Sequence, residues 1–66
     1  MKIILNGYLK EISDFSDLGA FIDHYRRVKS PVIAELNGEI IKDHLWNKTV
    51  LRDGDQLELI SFVGGG

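Results

Sequence analysis

The stretch KIILNGYLKEI, residues 2–12, predicts a β-hairpin at the start of the chain. Apolar and polar residues alternate on both sides of Asn6-Gly7, and Ile3 and Leu5 share one face of the first strand. Asn-Gly is a strong signal for a two-residue turn, because both residues tolerate the positive φ angles that such a turn requires. We therefore expect strands over residues 2–6 and 8–12.

After the hairpin, the apolar spacing lengthens from the period of a strand to that of a helix. Between residues 17 and 27 the apolar side chains fall on one stripe, which consists of Leu18, Phe21, Ile22 and Tyr25. Asp14 and Ser16 are both candidate N-caps, because their side chains can accept hydrogen bonds from a first helical turn. Ser30-Pro31 ends the helix, since proline disfavours helical geometry in the residue before it.

The second half of the chain contains further strand and turn signals. Strands are predicted over residues 32–37, 39–42 and 56–63, turns at Asn37-Gly38 and Asp53-Gly54-Asp55, and one helical turn over residues 43–48. A single amphipathic helix lying across a mixed sheet buries the apolar faces of all these elements. The sequence thus predicts an α+β protein with the β-grasp (ubiquitin-like) fold, a mixed β-sheet covered by one main α-helix. Residues 1–63 are expected to form the single domain and residues 64–66 a flexible C-terminal glycine tail.

The composition excludes several classes of function. A chain of 66 residues with 44% hydrophobic content builds one small core, which leaves little chain for the deep pocket of a self-contained enzyme. Its eight Lys and Arg are scattered and outnumbered by ten Asp and Glu, whereas nucleic-acid binding needs a concentrated basic surface. No segment resembles a membrane span or a secretion leader, so we expect a cytoplasmic protein that binds neither nucleic acid nor membrane. The absence of cysteine excludes disulfides, thiolate metal sites and sulfur carried on a side chain.

Few polar residues form a pattern typical of catalysis. Asp53 and Asp55 supply too few oxygen atoms for a calcium or magnesium site, and we interpret them as turn residues. His24 and His44 lack the spacing of a metal site or a catalytic triad and are interpreted as surface residues. Trp46 is expected to fill the small core. No metal site is predicted.

The C-terminal stretch SFVGGG, residues 61–66, differs from the rest of the chain. In the strand before it, Leu57 and Leu59 share one face, so continued alternation places Ile60 and Phe62 on the opposite face, which begins polar. Two large apolar side chains on that face indicate a docking patch for a partner.

Three glycines, Gly64 to Gly66, follow this patch. When extended they span about 10 Å, and they carry no side chain that would obstruct a narrow channel. The α-carboxylate of Gly66 is ionised at neutral pH and can attack the α-phosphate of ATP if another protein supplies ATP and magnesium. A sulfur donor can convert the resulting acyl-adenylate to a thiocarboxylate. We therefore expect the terminus itself to be the reactive group.

A β-grasp chain of this length that ends in DGDQLELISFVGGG, residues 53–66, resembles the ThiS family of sulfur-carrier proteins of thiamine biosynthesis. The resemblance covers essentially the whole chain, and its most specific parts are Gly65-Gly66, the Asp53-Gly54-Asp55 turn and Leu36-Asn37-Gly38. It implies a protein cosubstrate rather than an enzyme.

The resemblance also implies site residues and partners. Gly66 is the residue that is adenylated and converted to the thiocarboxylate, and Gly65 gives access to the active site of the partner. The partner-binding residues are Ile60, Phe62, Val63 and Gly64. A ThiF-type adenylating enzyme, which itself holds ATP and Mg, activates Gly66. A sulfur donor fed by a cysteine desulfurase supplies the sulfur, and the thiazole synthase ThiG accepts it. The chain carries no cofactor and is expected to be a monomer when free.

Three other interpretations stay open. The small subunit of molybdopterin synthase shares the fold, the Gly-Gly terminus and the adenylation chemistry, but it is generally longer than 66 residues. A ubiquitin-like protein modifier would join Gly66 to a lysine of a target, and a covalent adduct on target lysines would mark it. A pure interaction domain would carry an inert tail that can be deleted without loss.

Overall fold

Within the described part of the chain, five strands form one sheet, and the central strand is the last of the five in sequence order. The structure, a computed structural model, describes residues 1–15, 17–26 and 29–61. The elements in chain order are β1 Lys2–Leu5, β2 Tyr8–Glu11, α1 Leu18–Tyr25, β3 Val32–Leu36, β4 Glu39–Ile41, a 3-10 helix Asp43–Lys48 and β5 Gln56–Ser61. The strand order is β2-β1-β5-β3-β4, with β1 parallel to β5 and the other neighbours antiparallel. This mixed sheet with one main helix confirms the predicted β-grasp fold.

Both Asn-Gly pairs form the tight turns that the sequence predicts. Asn6 and Gly7 have φ angles of 50° and 86°, and Asn37 and Gly38 have φ angles of 52° and 86°. Positive φ at both central residues is the geometry of a type I′ turn, whose twist matches that of the flanking strands. The four strands that these turns join each end one residue before the predicted boundary.

The helix α1 begins one residue later than predicted, because Asp17 is its N-cap. Asp17 has extended backbone angles, and its side chain accepts a hydrogen bond of 2.8 Å from the N–H of Ala20. Only a side chain at the cap position reaches the N–H three residues ahead in this way. The prediction of Asp14 as the cap is wrong, since this side chain lies 3.6 Å from the amino group of Met1. Ser16, the other candidate, lies outside the described residues.

At its other end, α1 stops before the predicted Ser30-Pro31 boundary. Arg26 has an extended backbone, with φ of −88° and ψ of 133°. Its guanidinium donates a hydrogen bond of 2.7 Å to the carbonyl oxygen of Ser30 and lies 5.6 Å from the centre of the Trp46 ring. These contacts stabilise Arg26 outside the helix, so the helix ends at Tyr25.

The core lies between α1 and one face of the sheet. Its buried apolar residues are Ile3, Leu5, Leu18, Phe21, Ile22, Ala34, Leu36, Trp46, Leu51, Leu57 and Leu59. Trp46 occupies the core as predicted, and its indole N–H donates a hydrogen bond of 2.9 Å to the carbonyl oxygen of Ile41. Tyr25, expected on the buried helix stripe, is instead exposed at the edge and stacks on Phe21. Alternation along the strands and the helical period therefore predicted nearly the whole core.

The other face of the sheet, called the outer face below, exposes large side chains such as Leu9, Ile40 and Ile60. No helix within the described residues is both long enough and apolar enough to cross a membrane. The predicted end of the last strand at Val63 and the predicted tail from residue 64 lie outside the described residues.

Candidate functional site

The strand β5 leads towards the predicted reactive end of the chain. Leu57 and Leu59 are buried, whereas Ile60 lies on the outer face and is 51% exposed. The strand thus presents Ile60 on the face that the alternation predicts. Five further predicted site residues lie outside the described residues: Phe62, Val63, Gly64, Gly65 and Gly66.

Ile60 belongs to a larger apolar surface. The register of β3 with β5 places Ile33 directly beside it, and Ile40 of β4 lies diagonally beyond Ile33 on the same face. Ile33 and Ile40 also line a depression of about 410 Å³ that extends to Arg26 and Trp46. We call Ile33, Ile40 and Ile60 the apolar patch. Sequence reasoning found only Ile60, because the other two join it through strand pairing that no local pattern encodes.

The side chains of both tight turns hold β5 in place. Asn6 Oδ1 accepts a hydrogen bond of 2.8 Å from the N–H of Leu59, and Asn37 Oδ1 accepts one of 2.9 Å from the N–H of Gln56. The two LNG triplets of the sequence, which form no larger repeat, therefore have the same structural role. The asparagines therefore fix β5 at two points, Gln56 and Leu59.

The Asp53-Gly54-Asp55 turn uses its carboxylates to hold the fold together. Asp53 accepts a hydrogen bond of 2.6 Å from the N–H of Lys2, and Asp55 accepts one of 2.7 Å from the N–H of Arg52. Gly54 has a φ angle of 90°, which favours glycine. These bonds confirm the interpretation of both aspartates as turn residues. Among the described residues, no group of three or more His, Cys, Asp or Glu is arranged to hold a metal ion.

The two histidines lie on the surface, as predicted. His24 is exposed on α1, where its ring is 5.3 Å from that of Phe15, and His44 is exposed on the 3-10 helix. Neither of them belongs to a group of metal-binding side chains within the described residues.

Comparison with known proteins identifies the family of this chain. A model of the ThiS family matches residues 3–66. A thiazole synthase from Paramagnetospirillum magneticum is 30% identical over 66 residues, which cover all of this chain and 20% of that protein. The chain therefore spans about a fifth of the length of this curated relative.

Solved structures agree with the family match. A crystal structure of the thiamine biosynthesis protein ThiS from Geobacter metallireducens has a TM-score of 0.81 at 26% identity, with 100% of both chains covered. A solution NMR structure of a thiamine biosynthesis protein from the same organism has the same TM-score and identity, and 88% of that chain is covered. The family match reaches both the β-grasp fold and the glycine-rich end, and the chain belongs to the ThiS family.

Proposed function

We propose that this ThiS-family chain is a sulfur carrier for the synthesis of the thiazole of thiamine. The observation that carries the proposal is the family match over residues 3–66, which includes the Gly65-Gly66 end as well as the folded domain. The thiamine biosynthesis proteins with the same fold at 26% identity support it. These relatives favour the thiamine pathway over the molybdopterin pathway.

The chemistry we propose takes place at Gly66. Its carboxylate oxygen attacks the α-phosphate of ATP, a P–O bond forms and pyrophosphate leaves. The terminal sulfur of a persulfide on the donor then attacks the acyl carbon and displaces AMP, which gives an acyl disulfide. A thiol cleaves the S–S bond of this acyl disulfide, and the products are the thiocarboxylate and a disulfide on the donor. The chain has no cysteine, so the carboxyl group is the position where it can hold sulfur covalently. The ionised carboxylate needs no activation by neighbouring side chains, because its ordinary pKa lies far below neutrality.

In this scheme the chain is a cosubstrate, and other proteins supply the catalysis. A ThiF-type enzyme holds ATP and Mg, and a donor fed by a cysteine desulfurase supplies sulfur. A thiazole synthase accepts the sulfur, and the thiazole synthase relative with a segment similar to this chain supports that partner. We place the reaction in the cytoplasm, where ATP is available.

The surface that presents Gly66 is, we propose, the apolar patch continued by Phe62. Ile60 is six residues from Gly66, so an enzyme bound at Ile60 has the glycine within about 20 Å of extended chain. Gly64 and Gly65 let the carboxylate enter a narrow active site, since they carry no side chain to obstruct it.

Intact-mass spectrometry tests this function directly. The chain is incubated with a ThiF-type enzyme from the same genome, Mg-ATP, a cysteine desulfurase and cysteine. We expect a product in which one terminal oxygen is replaced by sulfur, and an AMP adduct when the desulfurase is omitted. The control variant lacks Gly64, Gly65 and Gly66, so its carboxylate no longer ends a glycine arm, and it should gain neither group.

Two results would contradict the proposal. One is a wild-type chain that gains neither AMP nor sulfur under conditions that charge an authentic carrier. The other is an isopeptide adduct of Gly66 on target lysines, which would identify a protein modifier instead. Fragmentation of the product also locates the modified residue, so it shows whether Gly66 itself is charged.

A further inference from the structure

The triplet Leu-Asn-Gly occurs twice in the chain, at residues 5–7 and 36–38, and Asn-Gly is a dipeptide that readily loses its side-chain amide. Glycine has no side chain to shield its backbone nitrogen, which is the attacking atom in this reaction. Both glycines are exposed, and no atom beyond the adjacent residues lies within 4 Å of the position that a Cβ would take on Gly7 or Gly38. Water therefore reaches both turns.

This loss of the amide, deamidation, consumes one water molecule and releases ammonia. The glycine nitrogen attacks Cγ of the asparagine, gives up its proton and forms a C–N bond, and the amide nitrogen leaves as ammonia. Water then opens the resulting succinimide ring at one of its two carbonyl carbons. The product is aspartate or isoaspartate, and either one adds a carboxylate to the turn.

The fold holds the two asparagines by different side-chain hydrogen bonds. Asn6 Oδ1 accepts a bond of 2.8 Å from the N–H of Leu59. Asn37 Oδ1 accepts one of 2.9 Å from the N–H of Gln56, and Asn37 Nδ2 donates another of 3.0 Å to Asp55 Oδ1. Ring closure requires the side chain to rotate towards the glycine nitrogen, so these bonds must break first. The additional bond to a carboxylate therefore slows the reaction of Asn37 in the folded chain.

The two reactions also differ in their effect on the fold. The carboxylate formed from Asn37 faces that of Asp55, whose Oδ2 already accepts a hydrogen bond of 2.7 Å from the N–H of Arg52. A hydrogen-bond donor is thus replaced by a like charge, so an attraction becomes a repulsion. The aspartate formed from Asn6 keeps a side-chain oxygen that can accept the bond from Leu59. Deamidation therefore weakens the fold mainly at Asn37.

We propose that Asn37 is a modification site that the fold protects and that unfolding opens. In the unfolded chain its side-chain bonds are absent, so Asn37 reacts as fast as Asn6 in the same triplet. The refolded product lacks the bond to Asp55 and unfolds again more readily, because a domain of this size has a thin margin of stability. Deamidation of Asn37 thus marks chains that have unfolded. This inference goes beyond the proposed function and does not depend on it.

The first test compares the deamidation rates of the two triplets by mass spectrometry. The chain is incubated at mildly alkaline pH, either folded or unfolded in urea, and trypsin then places the two asparagines on peptides 3–10 and 30–42. In urea we expect both peptides to convert at the same rate. In the folded chain Asn37 should convert about tenfold more slowly than Asn6, since its bond to a carboxylate must also break. Equal rates in the folded chain would overturn the protection.

The second test measures by circular dichroism the melting temperatures of variants that imitate the products. Asn37→Asp should melt about 4–8 °C below the wild type, the shift expected for the loss of one hydrogen bond in a small domain, and added salt should recover part of it. Asn6→Asp is the matched control in the other triplet and should melt close to the wild type.

A double variant tests the contact with Asp55 itself. Asn37→Asp/Asp55→Asn exchanges the donor and the acceptor of the bond, so we expect it to melt above Asn37→Asp and close to the wild type. The proposal is overturned if Asn37→Asp melts like Asn6→Asp, or if the double variant is no more stable than Asn37→Asp. Either result would show that the repulsion between the two carboxylates does not weaken the fold.

Discussion

At the scale of single residues, Asn6 combines two functions in the fold. It adopts a positive φ of 50° in the turn between β1 and β2, and its side chain accepts a hydrogen bond from Leu59 on β5. The chain turns away from β5 at Asn6. The side-chain oxygen of Asn6 therefore accepts the hydrogen bond from Leu59 that a backbone carbonyl would accept if β1 were longer. Asn6 thus extends the parallel pairing of β1 and β5 by one bond.

Replacing Asn6 should separate these two functions. Asn6→Gly keeps the positive φ but removes the acceptor, and we expect the free energy of unfolding to fall by about 1 kcal/mol. Asn6→Asp keeps both an acceptor and a side chain that tolerates positive φ, so it should stay within about 0.5 kcal/mol of the wild type. Urea denaturation followed by circular dichroism measures both values. A glycine variant as stable as the wild type would show that the bond to Leu59 contributes nothing.

At the scale of elements, β5 has one face in the core and one on the outer face, where we propose that a partner binds. Leu59 is 5% exposed and belongs to the core, whereas its neighbour Ile60 is 51% exposed on the outer face. The strand alternation places adjacent residues in opposite environments. Replacing Leu59 or Ile60 with alanine therefore tests stability and the proposed partner binding separately within one strand.

In the matched pair, Leu59→Ala should mainly lower stability, whereas Ile60→Ala should mainly weaken binding of the partner enzyme. Leu59→Ala leaves a cavity in the core and should lower the free energy of unfolding by about 2–5 kcal/mol. Ile60→Ala removes a cross-strand contact with Ile33 and should cost about 0.2–1 kcal/mol. When the rate at which a ThiF-type enzyme adenylates the chain is measured, Ile60→Ala should raise the KM of that enzyme for the chain while leaving the fold intact. An unchanged KM for this variant would remove Ile60 from the partner surface.

At the scale of the whole molecule, stability depends on one small core. A domain of fewer than about 70 residues with a single core rarely has more than about 3–5 kcal/mol of stability. Leu57 lies at the centre of this core with no exposed surface, on the strand between β1 and β3. The free energy lost when a single central side chain is truncated is therefore comparable to the whole free energy of unfolding of the domain.

We expect Leu57→Ala to be largely unfolded at 25 °C, since it should lose about 2–5 kcal/mol. The control Ile40→Ala truncates a side chain that is 63% exposed and should keep the native far-UV spectrum. Circular dichroism and a urea titration of both variants give the comparison. A Leu57→Ala variant with nearly wild-type midpoint would mean that the core can close over the missing side chain.

The sequence by itself determined the local structure of this protein, and the prediction of a reactive C-terminal end also rests on the sequence. Strand alternation, the helical stripe and the Asn-Gly pairs depend on neighbours within a few residues, so they could be predicted from the chain. The same patterns placed Ile60 outside the core. The two ends of the helix were less predictable. Side-chain hydrogen bonds of Asp17 and Arg26 determine them, and several nearby residues of similar type are able to make equivalent bonds.

Only the tertiary structure decided which outer-face residues lie together. Glu35 and Glu58 are 23 positions apart in the chain, and their pairing follows from the register of β3 with β5. A register depends on the packing of both strands over the core, and a shift of one residue would reverse every side chain. The prediction that Gly66 is the reactive end therefore rests on local sequence, whereas the apolar patch of Ile33, Ile40 and Ile60 exists only once distant strands have paired.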